Sequence, residues 1–591
     1  MHKAFHGGVK KLVIIGLASF AVACSTAPKQ EHPTANKTAQ VAPATAQPTN
    51  KVNEKQKLEQ KLPNVELTQE LLYKLLLAEI AGYRGDLGIA IQNYLAAAKQ
   101  TRDPRMAERA VRIALYAQDI KSAMIAARLW VDVSPEDVNA HLLLGILNLR
   151  QNDLQAATTQ LIYVIEHHDL GKGKAISIVG AHLLRERDKA AALKVMQVIA
   201  KRYDNILEAY YALSRVAEQA GNLKIAQNSI EQALTIKPDI RELQIQYTRV
   251  LTLQGNTAQA IAYLRDAITK RPDDKILRLS FARMLLEEHQ YDEARQQFEY
   301  LLSKTPGNAD IIYALGILDL QANDLKSAEN YFKQLSDSDK RRTEASYYLG
   351  QIMERRGDYN AAIGWYNQIT GGSLYLESEL RIASLTVKTQ GLEKALDYLH
   401  SIKVDNKKEK IRLALAEGEI LGDAGDYKRA MQHFDKSLDR FPNDIDLLYA
   451  RALMAEKVDR LDILMRDLQA ILDIQPDHAH ALNALGYTLA DRTARYNEAL
   501  KYIKRALALL PNDPAVVDSM GWVQYRLGHY DQSIRYLRRA LQLNNDAEIA
   551  AHLGQVLMAK GNQKEARAVI KAALESNPDN KQLLDLLKQI P

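Results

Sequence analysis

A period of about 34 residues runs through this chain and constrains its fold more than any other feature. Small residues recur at one point of successive segments, with fourteen steps of 33 to 35 residues between Ala90 and Ala566. Self-similarity at a fixed period of this length is typical of repeat proteins, in which each unit is one supersecondary element. The ladder consists of Ala90, Ala123, Ala157, Ala191, Ala226, Ala260, Ala294, Ala328, Ala362, Ala395, Ala430, Leu464, Ala499, Ser533 and Ala566.

Other residue classes keep a constant distance from this ladder. Twelve residues before it a glycine often occurs, twelve after it a proline, and four after it a bulky residue. Small residues let two helices cross closely, a bulky residue fills the space between hairpins, and proline cannot continue a helix. The glycines are Gly145, Gly316, Gly350, Gly418, Gly521 and Gly554, with Gly486 displaced by one; the bulky residues include Tyr94, Phe298, Phe332, Tyr366 and Phe434.

This pattern resembles the tetratricopeptide repeat, in which two antiparallel helices, A and B, form one unit. The resemblance implies an all-α, right-handed superhelical solenoid of about fifteen helix-turn-helix units over residues 67–579, with residues 580–591 as a capping helix. Glycine and proline are scarce, at 28 and 16 of 591 residues, which favours helix. The pattern is weakest in unit four, residues 171–203, and leaves open whether that unit is a hinge.

The first 66 residues have a different character. The basic stretch MHKAFHGGVKK is followed by twelve apolar residues, Leu12–Ala23, which are too few to span a bilayer and predict a signal peptide over residues 1–23. The segment AVAC, which ends at Cys24, resembles the lipobox of bacterial lipoproteins. The resemblance implies that Cys24 is lipidated and, because Ser25 rather than Asp follows it, that the protein goes to the outer membrane with its body in the periplasm. Residues 24–66 are then a lipidated cysteine and a disordered tether, poor in apolar side chains.

Composition argues against several classes of function. The net charge of +6 includes Lys3, Lys10 and Lys11 of the predicted signal peptide, so the mature chain is a weak polyelectrolyte and nucleic acid is not an expected partner. Cys24 is the one cysteine, which excludes an intrachain disulfide framework. The chain contains no H-E-x-x-H, G-x-S-x-G or Walker A motif. The pairs His167–His168 and His478/His480 have carboxylates beside them in the sequence but no thiol, and they match no metal-ligand motif. We therefore expect no enzyme activity, metal, cofactor or small-molecule substrate.

In this family the A helices line the concave side of the solenoid. The groove positions of unit fourteen carry Asp518, Trp522 and Tyr525, with Arg526 at the edge, a residue mixture typical of binding hot spots. The flanking units contribute Asn483, Tyr487, Gln555 and Met558, and a second set comprises Tyr313, Tyr347, Gln351 and Glu354. We predict that these residues contact a protein partner; the alternative is that the aromatic side chains simply pack against adjacent helices.

The C-terminal units also resemble those of long tetratricopeptide lipoproteins of Pseudomonas-type bacteria. The resemblance rests on residues 481–541 and on DAEIAAHLGQVL, residues 546–557. It implies a non-catalytic adaptor that docks a carboxyl-terminal processing protease together with its peptidoglycan hydrolase substrates. The alternative is an assembly factor for a pilus, a secretin or an exopolysaccharide export machine.

Overall fold

The computed structural model describes residues 63, 65–338 and 340–590, and these residues form thirty-one α-helices and no β-strand. They divide into two compact units, residues up to 307 and residues from 308 onwards. The first unit holds α1 (Gln69–Arg84), α2 (Leu87–Thr101), α3 (Pro104–Tyr116), α4 (Ile120–Val133), α5 (Val138–Arg150), α6 (Leu154–His167), α7 (Lys172–Arg185), α8 (Lys189–Arg202), α9 (Leu207–Gln219), α10 (Leu223–Ile236), α11 (Arg241–Leu253), α12 (Thr257–Lys270), α13 (Lys275–Glu287) and α14 (Tyr291–Lys304).

The second unit continues the same alternation of A and B helices. It holds α15 (Ala309–Gln321), α16 (Leu325–Ser336), α17 (Arg342–Arg355), α18 (Tyr359–Tyr366), α19 (Tyr375–Gln390), α20 (Leu392–Ser401), α21 (Lys407–Asp423), α22 (Tyr427–Arg440), α23 (Ile445–Lys457), α24 (Leu461–Ile474), α25 (Ala479–Arg492), α26 (Tyr496–Leu509), α27 (Pro514–Arg526), α28 (Tyr530–Leu543), α29 (Ala547–Ala559), α30 (Gln563–Ser576) and α31 (Lys581–Gln589). Fifteen hairpins and one further helix result, so the all-α class and the helix-turn-helix repeat are confirmed.

The turn from helix A to helix B explains why each hairpin closes at the same place. In unit fourteen Gly528 has φ +82°, and the N–H of His529 donates to the carbonyl of Gln524 at 2.9 Å, which is a Schellman motif. The same turn occurs in twelve of the fifteen hairpins. In several of them the next residue also caps helix B; the Asp426 side chain, for example, accepts a hydrogen bond from the N–H of Arg429 at 3.1 Å.

Where helix A carries the glycine, it meets the bulky residue of helix B inside the hairpin. A Cβ on Gly316 would lie 2.8 Å from Cζ of Phe332, so these helices approach at a distance that only glycine permits. The Phe332 ring also stacks on Tyr348 of the next hairpin, with 5.0 Å between ring centroids. The bulky residue therefore fills the space between hairpins, as predicted, and also covers the glycine of its own hairpin.

Unit four, the weakest repeat in the sequence, consists of α7 and α8, but these two helices contact each other less than the two helices of any other hairpin, and α7 packs more closely against α9 of the next unit. Ile176, Val179 and Met196 are buried in a hydrophobic core that continues into the neighbouring hairpins. Tyr203 stands where other units have proline; it is buried, and its hydroxyl donates to Glu166 at 2.8 Å. The weak pattern therefore accompanies both a substituted turn residue and a reduced contact between the two helices of the unit, while the core runs through it without a break.

The last helix, α31, lies against the final hairpin. Leu583, Leu586 and Ile590 are buried in one cluster with Ile570 and Ala573 of α30. These side chains cover apolar surface that a sixteenth hairpin would otherwise cover.

Candidate functional site

Helix α27 places the sequence-predicted residues of unit fourteen. It begins at Pro514, with the Asp513 side chain accepting a hydrogen bond from the N–H of Val516 at 3.0 Å. Asp518 and Trp522 are four residues apart and so lie on one face of the helix. We call this face, together with the corresponding faces of α23, α25 and α29, the A-face.

A buried ion pair joins α27 to α29. His552 Nδ1 lies 3.0 Å from both carboxylate oxygens of Asp518, and the two residues are 4% and 7% exposed. Burial opposes the charged imidazolium, but the carboxylates of Asp518, Glu548 and Asp491 together outweigh it and raise the pKa of His552 above its ordinary value. The Trp522 ring stacks on His552, with 4.3 Å between centroids and 26° between planes.

A second set of contacts joins α27 to α25 and to α26. The Trp522 indole N–H donates to Asp491 Oδ1 at 3.2 Å, and Arg526 donates to the Asp491 carbonyl at 3.0 Å. Arg526 also donates to the Tyr496 hydroxyl at 2.8 Å and lies 4.9 Å from the centre of that ring. Trp522, 6% exposed, and Arg526 are thus committed to contacts between repeats.

Tyr487 and Asn483 lie one turn apart on α25 and face this cluster. The Tyr487 hydroxyl lies 3.5 Å from His552 Nε2, at the outer limit of a hydrogen bond. Burial and the surrounding carboxylates raise the pKa of Tyr487, so its hydroxyl stays protonated. Asn483 is buried, and its Oδ1 accepts no hydrogen bond from any described residue.

Part of the A-face remains accessible. Tyr487, Tyr525, Gln555 and Met558 are half-buried. The Tyr525 ring lies 5.2 Å from Trp522, and Met558 packs against the core of the last hairpins. A partner could touch these four side chains without displacing any of the ion pairs described above.

The second predicted set lies on α15 and α17, apart from the first. Tyr347 is buried; its hydroxyl accepts from Arg381 Nε at 3.3 Å, and Glu354 accepts from Arg381 Nη1 at 3.0 Å and from the Tyr366 hydroxyl at 2.5 Å. Tyr313 is buried under the guanidinium of Arg341, at 4.5 Å. Gln351 is also buried. This set forms a network that joins three successive repeats.

Burial therefore agrees with the packing alternative for Trp522, Tyr313 and Tyr347. Contact between these residues and a protein partner stays a prediction. In the first set it applies best to Tyr487, Tyr525, Gln555 and Met558, because these side chains remain half-buried. Sequence reasoning missed His552 and Arg381, although each holds a predicted residue in place. His552 lies two residues before Gly554, outside the positions that the repeat turns towards the groove, and a lone histidine on an apolar helix is its signal in the sequence.

Other predictions concern residues near or beyond the described part of the chain. The predicted lipidation site Cys24, the signal peptide and nearly all of the tether lie outside it. Among the described residues there is no group of three His, Cys, Asp or Glu side chains arranged to hold a metal ion. His478 instead caps α25, accepting from the N–H of Ala481 at 3.1 Å. No helix in the same residues is long and apolar enough to cross a membrane.

Comparison with known proteins adds to this geometry. Models of the tetratricopeptide repeat match residues 207–240, 251–311, 285–342 and 519–581. A TPR repeat-containing protein of Pseudomonas aeruginosa is 38% identical over 491 residues, which cover 83% of this chain and 82% of that protein.

Solved structures of two other proteins align more loosely. A thermophilic TPR protein of Thermus thermophilus is 23% identical. Its alignment covers 30% of this chain and 97% of the Thermus protein, with a TM-score of 0.29. A chain of the APC/C hetero-tetramer Cut9–Hcn1 is 15% identical. Its alignment covers 89% of this chain and 96% of the other, with a TM-score of 0.31. The long alignment with the Pseudomonas protein decides the family: this chain belongs to the tetratricopeptide-repeat family, whose stacked hairpins are scaffolds for protein–protein interaction.

Proposed function

We propose that this protein is a non-catalytic lipoprotein of the outer membrane, anchored through Cys24, that docks a carboxyl-terminal processing protease and its peptidoglycan hydrolase substrates in the periplasm. The position of Cys24 directly after a short apolar stretch supports the anchor. The C-terminal sequence, which resembles long tetratricopeptide lipoproteins, supports the partner.

One structural observation carries the docking surface. Tyr487, Tyr525, Gln555 and Met558 come from three successive A helices and remain half-buried beside a cluster whose other members are held by an ion pair and by a hydrogen bond of the Trp522 indole. A rigid support with accessible aromatic and thioether side chains is a suitable protein-binding surface, because little side-chain entropy is lost on binding.

The mechanism requires no chemistry from the scaffold. A lipid anchor confines the protein to the membrane, since each buried CH₂ contributes about 0.8 kcal/mol. Binding the protease and a hydrolase on one chain raises their effective concentration relative to each other, to about the millimolar range for short connections.

Capture of the full-length lipoprotein from detergent-solubilised envelopes, followed by mass spectrometry, tests the proposal. We expect a processing protease and cell-wall hydrolases with the wild-type protein, and at least about fivefold less protease with Tyr525→Ala, because losing about 1 kcal/mol of binding free energy lowers the affinity about fivefold. Tyr502→Ala is the matched control, because Tyr502 is also half-buried against the same core but lies on helix B of unit thirteen.

Two results would contradict the proposal. Capture of a secretin, pilus or polysaccharide-export complex in place of the protease would favour the assembly-factor role. Recovery of Cys24→Ser in the same membrane fraction as the wild-type protein would contradict the lipid anchor.

A further inference from the structure

Exposed apolar side chains are concentrated on the first helix of the solenoid. Among the described residues, α1 carries five large apolar side chains that are at least 43% exposed, and no other helix carries more than one. Scattered exposed apolar residues are ordinary, whereas a contiguous group of them marks an interaction site. The five are Leu72, Tyr73, Leu76, Ile80 and Tyr83, with exposed fractions of 43%, 65%, 52%, 50% and 95%.

These five side chains, which we call the α1 stripe, follow one side of the helix. At about 100° per residue they fall within an arc of about 100°, in which the remaining position holds the uncharged Gln69. The opposite side of α1 is apolar as well, because Leu71, Ala78 and Ala81 are buried where α1 packs against α2. A helix that is apolar on both sides is expected to be covered on both.

The chain itself offers no cover for the α1 stripe. Within the described residues no hairpin precedes α1, whereas α31 covers the last hairpin at the other end. Residues 25–62 contain two valines, two leucines and no aromatic residue, so their sequence provides no apolar helix face. The cover therefore comes from another molecule.

The area of the α1 stripe matches what a stable dimer needs. A fully exposed aromatic side chain presents about 150–250 Å², and with the exposed fractions given above the stripe presents about 600 Å². A standard interface buries about 800 Å² on each partner, and about 65% of a homodimer interface is apolar, which is about 500 Å². One stripe packed on a second stripe supplies this area.

The stripe is also complementary to itself. A two-fold axis at Leu76 makes two copies of α1 antiparallel and places Leu72 of each copy opposite Ile80 of the other. Antiparallel helices bring the opposite ends of their dipoles together, which is favourable.

The charges of α1 favour a second copy over a lipid surface. Helices that lie on anionic lipid have a polar face rich in Lys and Arg. The charged residues of α1 are instead two acids and two bases, Glu70, Lys74, Glu79 and Arg84. A helix without net charge gains nothing from anionic lipid and is not repelled by its own copy.

We propose that two copies of this protein pair through the α1 stripe, antiparallel about Leu76, and form a homodimer joined at the first helices of their solenoids. The pairing uses no residue of the A-face, so it goes beyond the proposed docking of a protease and does not depend on it. A dimer of this kind presents two partner-binding surfaces, one on each copy.

Thiol crosslinking in isolated envelopes tests the pairing on the full-length lipoprotein. Leu76→Cys places a thiol at the two-fold axis, and a short bismaleimide bridges the roughly 8–10 Å between packed helices. We expect a crosslinked dimer, and at least about tenfold less of it when Ile80→Glu is added, because each copy would then bury an unpaired carboxylate. The matched control is Ile474→Cys on α24, where the native side chain is 46% exposed. Cys24 is present in every variant, so its own reaction contributes equally to all of them.

Several results would overturn the pairing. They are the absence of a dimer with Leu76→Cys, equal yields from Leu76→Cys and Ile474→Cys, and a dimer that Ile80→Glu leaves unchanged. A Leu76→Cys protein that reacts with a water-soluble maleimide only after detergent is added would assign the stripe to the lipid surface instead, and a crosslink to a different protein would assign it to that protein. If the dimer forms as expected but no protease is captured, the protease role fails and the pairing stands.

Discussion

At the scale of single residues, the distance between the two helices of a hairpin depends on the glycine of helix A. A Cβ on Gly418 would overlap the ring of Phe434, which is buried in the core, whereas a Cβ on Gly364 of α18 would meet nothing within 4 Å. Both glycines lie inside helices, so they share the same conformational cost and differ in packing.

We predict opposite effects for the same substitution at these two sites. Gly418→Ala should destabilise its hairpin by about 1–3 kcal/mol through overpacking. Gly364→Ala should stabilise its hairpin by about 0.5–1 kcal/mol, because alanine loses less backbone entropy in a helix. Hydrogen exchange of α21 and α22, and of α18, measures both. Equal effects at the two sites would show that the close approach at Gly418 does not constrain the hairpin.

At the scale of elements, adjacent A helices are joined by buried polar contacts as well as by apolar packing. The pair His552–Asp518 links α29 to α27, and the Trp522 indole links α27 to Asp491 of α25. Breaking such a pair by removing one partner leaves an uncompensated buried charge, which is costly.

The His552 link predicts a pH dependence. The pKa of His552 is raised in the folded protein, so its contribution is fully present below its ordinary pKa of about 6.5 and is lost as pH rises through the higher folded value. Each unit by which the pKa is raised corresponds to about 1.4 kcal/mol. Protection of α27 and α29 against hydrogen exchange, corrected for intrinsic rates, should fall above pH 6.5 in the wild-type protein and change little with pH in His552→Gln. Parallel pH profiles for the two proteins would contradict this role.

At the scale of the whole molecule, most contacts of a hairpin are with its neighbours in the chain, and stability is then a sum of local contributions. Leu583 of α31 is fully buried against the last hairpin, whereas its neighbour Leu584 is 36% exposed. The two leucines form a matched pair for testing how far a local loss of stability spreads.

We predict that Leu583→Ala costs about 2–5 kcal/mol of local stability and speeds hydrogen exchange in α29, α30 and α31, while α21 and α22 in the same compact unit exchange at wild-type rates. Leu584→Ala should change exchange by less than about 0.5 kcal/mol anywhere. Exchange that accelerates throughout residues 308–590 after Leu583→Ala would mean that this unit unfolds as one cooperative body.

The repeat was predictable from sequence because its determinants are local. Gly528 and His529 close a turn with a residue five positions earlier, and Gly316 meets Phe332 sixteen residues later. Such contacts recur in many units and so leave a period in the chain. Tyr203 does not fit the pattern, because the burial of its side chain and its hydrogen bond to Glu166 take the place of the usual proline.

The candidate site was only partly predictable, for the opposite reason. The sequence by itself determined the number of hairpins, their turns and the positions that an A helix turns towards its neighbours, because residues within one repeat decide these features. Only the tertiary structure decided which of those side chains remain free. Trp522 is held by Asp491, 31 residues earlier, and by His552, 30 residues later, whereas Tyr525 on the same helix stays half-exposed. Contacts between variable positions of different repeats follow no period, and they exist only when the hairpins are packed together.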